Sequence, residues 1–86
     1  MIASVKVYTT SFCPYCVRAK ALLQKRDVPF EEIDISGDEA KRAWLVTASG
    51  GRRTVPQIFI DDKPIGGSDE LHALDASGEL EKLLHR

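Results

Sequence analysis

Cys13 and Cys16 are the only two cysteines in this 86-residue chain, and they stand one helical turn apart. A pair that close in sequence closes too short a loop to act as the long-range staple on which small secreted domains depend. The fold must therefore come from packed secondary structure, and 86 residues suit a single small domain over residues 1–86. A composition of 43% hydrophobic and 29% charged residues is compatible with that, being ordinary for a globular chain. With 12 basic and 13 acidic residues the net charge is -1, so no overall field favours nucleic acid or an anionic membrane. Met1 to Ser4 lack a basic, apolar leader pattern, and no apolar run approaches the ~18 residues of a membrane span. The expectation is a cytoplasmic monomer with no nucleic-acid or membrane partner.

The periodicity changes along the chain in a fixed order. Ile2 to Thr9, with Val5, Val7 and Tyr8, reads as a strand. From Pro14 to about Arg26 the pattern is helical, with Cys16, Ala19, Leu22 and Leu23 on one face and Val17 and Ala21 beside it. Proline suits a first helical turn, where its missing N–H costs nothing. Phe30 to Ile35 alternates as a second strand, and a strand–helix–strand unit implies parallel pairing by a right-handed crossover. Ser36 and Glu39 have capping-box spacing and open a second helix, whose inner stripe is read as Ala40, Ala43, Trp44, Thr47 and Ala48. Gly50-Gly51 ends it. Val55 to Ile60 is a strand apolar on both faces, and Asp61-Asp62-Lys63 turns it into a short return strand that Pro64 marks as an edge. Leu71 and Leu74 continue into a helix, with a further helical turn or two at Leu80, Leu83 and Leu84. The order is βαβ, then α, then ββα: an α/β fold.

The dithiol lies where the first strand gives way to the first helix. Unpaired N–H groups and the macrodipole at a helix start favour negative charge, so Cys13 is the expected nucleophilic thiolate. Cys16, one turn inward, is shielded and suited to resolve a mixed disulfide formed on Cys13. A structural zinc site needs four ligands, and the sequence offers one Cys-x-x-Cys with His72 and His85 far away, so no metal is expected.

Tyr8-Thr9, Cys13-Pro14-Tyr15-Cys16, Thr54-Val55-Pro56-Gln57 and Gly66-Gly67-Ser68-Asp69 together resemble the dithiol glutaredoxin family, in its small bacterial type-3 form. The resemblance covers essentially the whole chain. It implies a thioredoxin fold with a four-stranded mixed sheet flanked by helices. It also implies glutathione-dependent reduction of protein–glutathione mixed disulfides and protein disulfides, with glutathione as co-substrate. By the same resemblance Val55-Pro56 is a cis bond, and Tyr15, Thr54, Val55 and Pro56 flank the glutathione cysteinyl group. Gly67 joins the binding site as a flexible residue before a helix start, where backbone N–H groups at Ser68 and Asp69 are then placed against the γ-glutamyl carboxylate, with the Asp69 side chain on its amine. Ser68 and Asp69 also suit a plain helix cap.

One position departs from the family pattern. Three residues before the first cysteine the family often carries lysine, and here stands Thr10, which brings a hydroxyl but no charge. Arg52 and Arg53 are the replacements that could take the glycyl carboxylate, since guanidinium matches carboxylate geometry; otherwise they are solvated loop charges. Trp44 is expected in the core rather than in a substrate groove. Two rival readings stand beside the main one. They are a redoxin driven by thioredoxin reductase, favoured by Thr10, and an iron–sulfur carrier in which Cys13 and glutathione ligate a shared cluster.

Overall fold

The computed structural model describes residues 3–85. Ile2, included in the first strand by the sequence pattern, lies outside them. Eight elements follow in the order β1 (Val5–Thr9), α1 (Pro14–Lys25), β2 (Glu31–Asp34), α2 (Glu39–Ala48), β3 (Gln57–Ile60), β4 (Lys63–Gly66), α3 (Ser68–Ser77) and α4 (Glu79–Leu84). They form a four-stranded mixed sheet in the order β2-β1-β3-β4. β1 pairs parallel with β2 and antiparallel with β3, and β3 pairs antiparallel with β4. The βαβ crossover and the closing hairpin are those the sequence pattern implies, and Pro64 sits on an edge strand where its missing donor is harmless.

Strand alternation divides the apolar residues between the two faces. Val5, Val7, Ile58 and Ile60 meet Ala19, Leu22, Leu23, Leu71, Leu80 and Leu84, so α1, α3 and α4 cover one face. Tyr8 and Phe59 point the other way and meet Ile35 and Leu45, which is where α2 packs. The α1 stripe is as read, with Cys16, Ala19, Leu22 and Leu23 buried. Val17, expected at the margin of that stripe, is instead 60% exposed, and Ala21 is exposed too.

Three expectations for α2 need correction. Its cap is Asp38, whose carboxylate accepts the Lys41 N–H at 2.9 Å, not Ser36. Gly37, at φ 75°, turns the chain between them and takes Ser36 out of helical register. Within the helix the inward residue is Leu45, while Ala40, Ala43 and Thr47 face solvent. The larger side chain wins the buried position because it removes more apolar area from water than the alanines do. Trp44 is not core: it is 49% exposed, with its ring stacked on Phe59 at 6.1 Å and tilted against Tyr8 at 5.4 Å. The ring thus packs on the sheet's aromatic residues while about half of the residue stays in solvent.

Candidate functional site: a dithiol beside a small cradle

Cys13 is the N-cap of α1, and it and Cys16 are joined in a disulfide. The Cys13 sulfur accepts the Cys16 N–H at 3.1 Å, a donor that the α1 backbone leaves unpaired at its first turn. Cys16 is 2% exposed, whereas Cys13 is only partly covered, so one sulfur is presented and the other is shielded. The Val55–Pro56 bond is cis, as expected, and the Val55 carbonyl lies 3.7 Å from the Cys13 sulfur. The loop before β3 therefore faces the dithiol directly. Gln57, fully buried at the start of β3, braces that loop by donating from its amide to the Thr54 carbonyl at 2.9 Å.

Beside the dithiol opens a cavity of about 240 Å³ lined by Tyr15, Arg52, Thr54, Val55, Pro56, Gly67, Ser68, Asp69 and Glu70. Eight of these nine are residues singled out in the sequence, brought together from α1, the loop before β3 and the start of α3. A larger hollow of about 390 Å³, at the far ends of α1 and α3, holds no residue of the dithiol or its loop and has no evident bearing on thiol chemistry. Thr10 and Arg53 do not line the cradle. Arg53 lines a separate groove against α2 with Glu39, Arg42, Ala43 and Val46. Arg52 and Arg53, equivalent in the sequence, thus belong to different surfaces.

The α3 end of the cradle is built around glycine. Gly67 is the N-cap of α3 and its N–H donates to the Glu70 carboxylate at 2.7 Å. A Cβ at Gly66, where φ is 122°, would come within 2.7 Å of that same carboxylate oxygen, so the close approach needs glycine. Arg52 also pairs with this oxygen, at 2.7 Å. The Gly67 N–H foremost, and the Arg52 guanidinium after it, hold the Glu70 carboxyl below its ordinary range, against the opposing effect of desolvation. The N–H groups of Ser68 and Asp69 lie in the first turn of α3, where no intrahelical acceptor exists, which makes this end of the cavity a place for an anion. Glu70 is the cradle residue that the sequence reading missed. A glutamate three positions after an N-cap is half of a capping box, but the glycine at that cap hides the usual serine or threonine signal.

The arrangement is one partly exposed sulfur at a helix start, a second beneath it, and an anion-ready groove alongside. That arrangement suits thiol–disulfide exchange. Comparison with known proteins agrees. Residues 5–65 match the family model described as Glutaredoxin. The chain is 55% identical over 83 residues to Glutaredoxin 3 of Escherichia coli, covering 96% of this chain and 99% of that one. It is 48% identical over 83 residues to a probable glutaredoxin of Synechocystis, covering 96% and 94% respectively. Among solved structures, the buckwheat glutaredoxin–glutathione complex aligns with a TM-score of 0.87 at 32% identity, covering 95% of this chain and 76% of that one. The solution structure of a Brucella melitensis glutaredoxin aligns at 0.85 and 47% identity, covering 96% and 89%. The fold is thus the thioredoxin fold of a thiol oxidoreductase. The chain belongs to the glutaredoxin family.

Proposed function

We propose that this protein reduces protein–glutathione mixed disulfides and protein disulfides, with glutathione as the electron donor. The observation that carries the reading is the cradle that opens beside Cys13 and ends at the α3 N-terminus. A tripeptide thiol with an anionic γ-glutamyl end fits that layout. Its cysteinyl group would lie along Val55, its γ-glutamyl carboxylate against the N–H groups of Ser68 and Asp69, and its amine near the Asp69 side chain. Tyr15 and Thr54 would wall the groove, with Gly67 and Pro56 allowing close approach. Arg52 supplies the positive charge for a carboxylate. A glutaredoxin solved as a glutathione complex is among the structural relatives, which supports the same ligand here.

The Cys13 thiolate attacks the glutathionyl sulfur of a modified protein, the S–S bond breaks, and the protein thiolate leaves. A second glutathione thiolate then attacks the Cys13–glutathione disulfide, releasing oxidised glutathione and the Cys13 thiolate. With a protein disulfide, Cys16 attacks the mixed disulfide on Cys13 instead and frees the substrate, leaving the Cys13–Cys16 disulfide seen in this structure. Two glutathione molecules then reduce that disulfide to the Cys13–Cys16 dithiol and leave joined as oxidised glutathione. The test is a coupled assay with glutathione, its reductase and a glutathionylated peptide, run on wild type, Cys13→Ser and Cys16→Ser. Cys13→Ser should lose all turnover. Cys16→Ser should keep deglutathionylation and lose reduction of protein disulfides. Turnover with thioredoxin reductase but none with glutathione would replace this reading by the thioredoxin-reductase-driven one.

A further inference from the structure

Phe12, the residue immediately before Cys13, is the most exposed large apolar side chain among the described residues, at 102% of its reference area. It also holds φ at 58°, a left-handed conformation that asparagine or glycine adopts far more readily than an aromatic residue. The segment is braced in that shape. The Ser11 N–H donates to the Ser36 hydroxyl at 2.8 Å, and the two hydroxyls meet at 3.2 Å. Ser36 is anchored in turn by its N–H to the Asp34 carboxylate at 2.8 Å. An unfavourable backbone conformation, held by a hydrogen-bonded brace and used to place an aromatic ring in water, is characteristic of a recognition surface rather than a packing one. Two further exposed apolar side chains flank the dithiol, Tyr15 at 55% and Val17 at 60%. Val17 stands one turn above Cys13, whose carbonyl accepts its N–H at 3.1 Å.

We propose that Phe12, with Val17, forms a docking surface for the polypeptide around a target cysteine, and that it selects segments with an apolar side chain next to that cysteine. The occupant follows from where the ring lies. Phe12 does not line the cavity of about 240 Å³, so a small thiol seated there leaves the ring uncovered. Only a partner that extends beyond the sulfur it offers to Cys13 reaches the ring, and that partner is the protein half of the disulfide. The brace fixes the loop before binding, so little ordering is left for the encounter.

The test uses pre-reduced protein in a single turnover, so that no added reductant takes part and the outcome does not depend on glutathione being the donor. Two synthetic peptides each carry one cysteine as a mixed disulfide with glutathione, one flanked by leucine and the other by glycine. Bis(2-hydroxyethyl) disulfide serves as the small substrate. Phe12→Asn removes the ring and keeps a residue suited to the backbone, so folding is not at risk. Wild type should react faster with the leucine peptide by about three- to tenfold, the scale of partial burial of one such side chain. Phe12→Asn should abolish that preference while its rate with the small disulfide stays unchanged. No preference in wild type, or a Phe12→Asn loss shared equally by all three substrates, would overturn the assignment.

Discussion

Replacing Glu70 by glutamine separates the two duties of one oxygen atom. In the wild type that oxygen accepts the Gly67 N–H and pairs with Arg52, both at 2.7 Å. Glutamine keeps an acceptor for the amide and loses the charge. Both partners are more than a third exposed, at 43% for Arg52 and 40% for Glu70, so the ion pair itself contributes about 0.2–1 kcal/mol after solvent screening. Weakening a charge-assisted hydrogen bond to a neutral one adds a similar amount, giving a loss of about 1 kcal/mol at neutral pH. For a domain of this size that is a fall in Tm of about 4–8 °C. The folded-state pKa of Glu70 is lowered, so its contribution is present above the ordinary glutamate value of about 4.3 and is lost as pH falls through the folded value. Urea unfolding of wild type and Glu70→Gln should therefore differ by about 1 kcal/mol at pH 7 and converge in acid, where a protonated glutamate resembles glutamine. The same substitution frees Arg52, which must then be ordered by the ligand. KM for glutathione should rise about three- to fivefold with kcat unchanged, and Arg52→Gln/Glu70→Gln should match Arg52→Gln alone. A stability difference that persists unchanged in acid would refute the electrostatic reasoning. A fall in KM would show that Glu70 competes with the ligand for Arg52 rather than positioning it.

Two further substitutions probe the framework around the cradle. Gly66→Ala forces a Cβ within 2.7 Å of the Glu70 carboxylate at a φ that side chains rarely adopt; it should cost about 2 kcal/mol or more in denaturant unfolding and be only partly relieved by Glu70→Ala. Asp38→Ala removes the cap of α2 and should destabilise by about 1 kcal/mol with little change in turnover; an unchanged unfolding free energy would show that the helix is capped elsewhere.

How much of this was legible depended on whether one residue type had one plausible use. In α1, leucines and a cysteine recur at helical spacing among charged residues, so the buried face could be read directly. In α2 the alanines form a periodic stripe of their own, and periodicity cannot say that Leu45, one step off it, fills the space over Tyr8 and Phe59. The same holds for its start: Ser36 and Asp38 are both good caps, and only the turn at Gly37 decides between them. At the site, the order of motifs brought eight of the cradle residues into view before their geometry was known. The split between Arg52 and Arg53 was not visible, because neighbouring side chains on a loop diverge according to backbone turns that sequence spacing does not encode. The exposure of Phe12 was hidden for a related reason, since an aromatic beside an apolar strand ordinarily reads as core.

The two faces of the sheet are unequally insulated. Among the described residues, one is covered by three helices through a cluster of twelve buried residues, the other by α2 alone through four. Amides beneath a thin layer exchange with solvent through openings that leave the remainder of the protein intact. The dithiol is carried by α1, on the thick side, while the Trp44 ring is seated on the thin one. Excursions of α2 can therefore come and go as a local event, visible in the surroundings of the chain's single tryptophan, without carrying Cys16 into water.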